Sequence, residues 1–155
     1  MSLTITRAND PRATRRILGA LPSWFGIPAA NAHYVRAAAE KDSYLAQVDG
    51  TTVGVALVDR HFPESAEIHL IAVSPGQHGT GVGSALVRAI EADLVADGAR
   101  LLQVKTVGAS HEDEGYAATR AFYVARGFLP LEEARGVDWD GPTLTMVKPL
   151  SAGQI

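Results

Sequence analysis

Three glycines at alternate positions, Gly79, Gly81 and Gly83, stand where an apolar strand ends and a helix begins. Glu67 to Val73 alternates like a strand, with Ile68, Leu70 and Ala72 expected on one face and Glu67, His69, Ile71 and Val73 on the other. From Gly81 to Asp97, Val82, Leu86, Ile90 and Leu94 recur at helical spacing, and Gly98 ends the pattern. A strand that turns through glycines into a helix can aim successive backbone N–H groups at one bound anion. The positive end of the helix adds to that field, so the segment reads as a pyrophosphate cradle. Two familiar phosphate loops do not fit. A P-loop needs Gly-Lys-Ser/Thr, and no lysine is present; a G-x-G-x-x-G fingerprint counted from Gly79 or Gly81 ends on Ser84 or Leu86.

The remaining elements fall around this unit. Leu3 to Thr6 reads as a strand, and Asp10-Pro11 as a cap and first helical residue for a helix to about Leu21. Pro22 to Pro28 is a loop carrying Trp24 and Phe25, and Ala29 to Lys41 a second helix. Tyr44 to Val48 and Val53 to Asp59 form a hairpin through Asp49-Gly50. Leu101 to Val107 is a strand, Tyr116 to Ala125 a helix, and Phe128 to Glu132 and Thr143 to Lys148 are strands. The order β-α-α-β-β-β-α-β-α-β-β predicts an α/β chain with a mixed sheet covered by helices. Neither a repeat nor a linker-like stretch interrupts it, so residues 1–155 are expected to form one domain.

Composition narrows the function classes. Without cysteine, thiolate metal sites and thiol nucleophiles are excluded. His33, His61 and His111 show no metal-ligand spacing, and no metal is expected. A net charge of -3 gives no general reason to expect nucleic acid or an anionic membrane as partner. No stretch resembles a signal peptide or a membrane span, which points to a cytoplasmic location.

The segment His78-Gly79-Thr80-Gly81-Val82-Gly83 resembles the acetyl-CoA loop of the GNAT superfamily of N-acetyltransferases, Gln/Arg-x-x-Gly-x-Gly/Ala, with His78 in place of the usual Arg or Gln. Ile71 to Pro75 resembles the strand that precedes it, Leu-x-Val-x-Pro. Thr119 to Phe128 resembles the second family block, Ala-x-x-Phe/Leu-Tyr-x-x-x-Gly-Phe, with Tyr116 where the family carries Asn. Trp24 to Gly26, Val104 to Thr106 and Thr119 to Tyr123 are also similar to a bacterial subgroup.

The resemblance implies acetyl-CoA as cosubstrate, bound by the loop from His78 through Thr80 and Val82 to Ser84 and by the backbone of Ile71 and Val73 on a strand that splays from its neighbour. It implies acetyl transfer to an amine of a small molecule or a protein. Tyr123 stands where the family's tyrosine protonates the departing thiolate; a phenol of pKa ~10 keeps its proton at neutral pH. Glu67, on the motif strand, is the expected general base, with His69 as the alternative. Trp24, Phe25 and Asp138 to Asp140 are expected at the acceptor pocket. The acceptor and a homodimer are left open. A catalytically silent acyl-CoA-binding sensor would carry the same loop.

Overall fold

The computed structural model describes residues 2–151. Its elements are β1 (Leu3–Arg7), α1 (Pro11–Gly19), α2 (Pro28–Glu40), β2 (Asp42–Val48), β3 (Thr51–Phe62), β4 (Ser65–Val73), α3 (Val82–Ala96), β5 (Leu101–Val107), α4 (Glu114–Ala125), β6 (Leu129–Arg135) and β7 (Pro142–Pro149). The expected order of strands and helices holds throughout, with boundary shifts of a few residues. Asp10 caps α1 by accepting from the Ala13 N–H, and α1 ends two residues before Leu21. A proline at its first position opens α2 as well.

One mixed sheet runs in the order β1-β2-β3-β4-β5-β7-β6. Only β4 and β5 pair parallel, with α3 as their crossover, and β7 inserts between β5 and β6. Two cores follow from the two faces. Ile17, Leu18, Ala37 and Ala38 of α1 and α2 pack on Leu45, Val55 and Leu57, whereas Leu86, Ile90 and Leu94 of α3 pack on Ala56, Ile68 and Leu102.

The expected alternation along β4 fails at one residue. Leu57 pairs with Leu70 but Val58 with Ile68, so His69 is an extra residue without an opposite partner. Such a bulge reverses which face every later side chain takes. Ala66 and Ile68 therefore join the α3 core, while Leu70 and Ala72 join the α1–α2 core and Ile71 and Val73 return to the α3 side. A period-two pattern cannot register an inserted residue when both faces are apolar, which is why Ile68, Leu70 and Ala72 read as one face.

Candidate active site

The parallel ladder between β4 and β5 covers Ser65 to Ile68 against Leu101 to Val104 and stops there. Beyond it the strands separate, and a cleft of about 1180 Å³ opens between them. The Ser74 N–H donates to the Val53 carbonyl (2.8 Å). Antiparallel pairing alternates, so Ile71 and Val73 turn their own N–H and C=O away from β3 and toward the gap. An extended ligand entering there meets an unpaired strand edge.

At the end of β4 the chain makes a short 3-10 turn, Pro75–Gln77, and reaches the glycines. Gly79 and Gly81 have φ of 78° and 91°, a left-handed backbone that favours glycine. A Cβ built on either meets nothing within 4 Å, and both residues line the cleft. Among the described residues, the N–H groups of Gly79 and Gly81 and of Val82, Gly83 and Ser84 in the first turn of α3 have no backbone acceptor. Those of His78 and Thr80 are spent on Pro75 and Gln77 carbonyls (3.3 Å each). Gly83 has a different constraint: a Cβ there would lie 3.1 Å from Phe122 Cζ, so glycine lets α3 approach α4. Arg126, whose guanidinium donates to Ser84 Oγ and lies 5.2 Å from the Phe122 ring centroid, adds a positive charge beside the open N–H groups.

Tyr123 comes from the last turn of α4, buried between Phe122 and Phe128, and still lines the cleft. Burial pushes its phenol up, with the Tyr34 phenol adding to the shift, so it stays protonated across the neutral range. Glu67 is buried outside the cleft lining. Its Oε1 accepts from Gln103 Nε2 (3.0 Å) and contacts His61 Nε2 (2.8 Å), while its Oε2 lies 3.9 Å from Lys105 Nζ. His69, the bulged residue, does reach the cleft. Its Nδ1 lies 3.4 Å from Asp59 and its Nε2 3.1 Å from His33 Nε2, and the Asp59 carboxylate is held by Lys41 (2.5 Å). Burial lowers the His69 pKa most; Asp59 opposes the shift, while Lys41 and His33 reinforce it.

A cluster of open N–H groups, a strand edge that no neighbouring strand pairs and a protonated phenol thus share one cleft. The Acetyltransferase (GNAT) family model matches residues 14–128, nearly three quarters of the sequence. The chain belongs to the GNAT acetyltransferase family. A mycothiol acetyltransferase from Nocardiopsis dassonvillei is 33% identical over 105 residues, 64% of this chain; the match spans only 30% of that longer relative. In fold, a GNAT-family protein from Desulfovibrio desulfuricans superposes with a TM-score of 0.84 at 21% identity, over 96% of this chain and 99% of that one. The ribosomal-protein-S18-alanine N-acetyltransferase from Escherichia coli gives 0.79 at 20% identity, over 97% and 95%.

In this GNAT chain the far end of the cleft is built by residues outside the glycine loop and the Thr119 to Phe128 block. Tyr34 of α2 stacks edge-on against His69 (5.4 Å), and burial, Asp138 and Glu67 all push its phenol up. Lys105 of β5 enters where the strands part. Tyr116 donates its hydroxyl to the Trp24 carbonyl (3.0 Å), tying α4 to the aromatic loop. Trp24 and Phe25 line the cleft as expected, and so do Asp138 and Trp139, the latter edge-on to His111 (5.5 Å). Asp140 is not among the lining residues. Asp113 caps α4 by accepting from the Tyr116 N–H, and Glu114 begins the helix.

Proposed function

We propose that this chain moves the acetyl group of acetyl-CoA onto the primary amine of a small molecule or a protein. The observation that carries the proposal is the convergence, in one cleft, of the open N–H groups around Gly79 and Gly81, the unpaired edge of β4 and the Tyr123 phenol. Acetyl-CoA supplies an activated thioester. The N–H groups of Gly79 and of Gly81 to Ser84, with Arg126 beside them, would hold its pyrophosphate, and the backbone of Ile71 and Val73 would pair with its amide-bearing arm.

The amine nitrogen attacks the thioester carbonyl, the carbon–sulfur bond breaks, and two protons must be managed. An alkylammonium of pKa ~10.4 leaves little free amine at pH 7, a cost of about 4.6 kcal/mol. His69 is the better-placed base. It lines the cleft, burial favours its neutral imidazole, and with Nδ1 held at Asp59 the amine proton would go to Nε2 in place of the His33 contact. Glu67, buried against His61 and Gln103, acts on the cleft only through Lys105 and its field. Tyr123 donates to the sulfur. Its raised pKa disfavours transfer to a solvated thiolate; the same apolar surroundings raise the basicity of the sulfur and restore the match.

The test is a panel of amines with acetyl-CoA, read as released thiol. Turnover with at least one amine is expected. A chain that is stabilised by CoA yet releases no thiol with any amine would be a binding module, and the proposal would fall.

A further inference from the structure

His78 stands where the family's loop carries Arg or Gln, and its side chain does not point into the open cradle. It turns back along the loop, and its Nε2–H donates to the Val73 carbonyl (2.8 Å). That carbonyl belongs to the edge of β4 that faces the gap, since the neighbouring Ser74 N–H is the one committed to β3. The other side of the imidazole meets Trp24 edge-on, with ring centroids 5.8 Å apart at 87°. Trp24 in turn rests on α4: its carbonyl accepts from Tyr116, and its ring lies so close to Gly115 that a Cβ there would be 3.0 Å from Cζ2. One imidazole therefore touches both the strand edge offered to the cofactor arm and the aromatic loop at the acceptor end.

We propose that His78 is a positioning residue that couples the two halves of the cleft. An amide N–H of the cofactor arm takes the Val73 carbonyl from His78, the imidazole swings out of the gap, and Trp24 loses its edge partner and resettles at the acceptor end. Acceptor binding is thereby set by occupancy of the cofactor groove, and by linkage the acceptor favours the cofactor to the same degree. This rests on the proposal that the β4 edge receives the arm of CoA.

The coupling gives His78 an effect opposite in sign to that of a phosphate ligand. A side chain that competes with CoA for Val73 weakens binding, so His78→Ala should tighten CoA by roughly 2- to 10-fold, the scale of one net hydrogen bond. A side chain that contacts phosphate would give weaker binding on removal. The sequence holds two tryptophans, so in a Trp139→Phe background Trp24 is the sole indole emitter. Titration with CoA should shift Trp24 emission when His78 is present, and the shift should largely vanish in His78→Ala. Adenosine 3′-phosphate 5′-diphosphate, which has the pyrophosphate but no arm, should bind without the shift.

Weaker CoA binding in His78→Ala, or an emission shift unchanged by that substitution, overturns the coupling. Thermal stabilisation of the unsubstituted chain by CoA is measured alongside. If it is present, such a result refutes the coupling alone; if it is absent, the cofactor groove itself is refuted and the coupling with it.

Discussion

Gly81 and Gly98 bracket α3 with nearly the same backbone, φ 91° and 89°, and a Cβ built on either meets nothing within 4 Å. Only Gly81 lies in the cleft. Alanine at either position pays for a left-handed conformation, about 1–2 kcal/mol. For a chain of this size that lowers Tm by roughly 2–8 °C. The two variants should therefore lose similar stability. CoA separates them. At 100 times Kd it stabilises the parent by about 2.7 kcal/mol. Gly98→Ala should keep that increment in full. In Gly81→Ala the added methyl stands in front of the N–H groups; a hundred-fold weaker complex would retain only about 0.4 kcal/mol of it. Melting curves with and without CoA, on all three chains, measure both effects. Equal CoA increments in Gly81→Ala and Gly98→Ala would refute the placement of the pyrophosphate.

The roles of the two candidate bases separate by position. His69→Asn should lower kcat by about 10²- to 10⁴-fold and abolish the acidic limb of the pH–rate profile, which burial places below the usual imidazole range. Glu67→Gln, with no side chain in the cleft, should cost less and leave that limb in place; pH–rate profiles of both variants decide. Trp139→Ala should raise the acceptor KM and leave CoA affinity unchanged, checked by steady-state kinetics and titration, because Trp139 packs edge-on against His111. All four tyrosine phenols are pushed up, chiefly by burial. Their stabilisation is complete below the unfolded value near pH 10 and is lost as pH rises above it. For the buried pair Tyr44 and Tyr123 the loss totals about 2.7 kcal/mol between pH 9 and 11, most of it above pH 10, and is measurable by urea unfolding across that window.

Much of this architecture was legible because local chemistry and tertiary demand agree. The Asp10-Pro11 start of α1, the Asp49-Gly50 hairpin and the four-residue apolar stripe of α3 each specify their element without outside help. The bulge at His69 was not legible. From Leu70 on, both faces of β4 are apolar, so the inserted residue leaves no mark on hydrophobic alternation there, and only the β3 register reveals it. That one residue explains why His69 reaches the cleft. The glycine loop was readable as a cradle, but not the split between open N–H groups and those that His78 and Thr80 spend on the turn. Tyr34 carried no signal, and Lys105 none of its role beyond its place in Val104 to Thr106: a tyrosine on an alanine-rich helix and a lysine on a strand look like ordinary packing and surface residues until the strands part beside them.

The central claim is that acetyl transfer occurs in this cleft with Tyr123 donating to the sulfur. The most direct test is the single-turnover rate of thiol release from acetyl-CoA, in the presence of an accepted amine, for the parent chain and for Tyr123→Phe. Phenylalanine keeps the ring contacts to Phe122 and Phe128, so Tm and CoA affinity should barely change. The rate should fall by roughly 10- to 10⁴-fold, the span from a weak to a full general-acid contribution. An undiminished single-turnover rate in a folded, CoA-binding Tyr123→Phe would contradict the account.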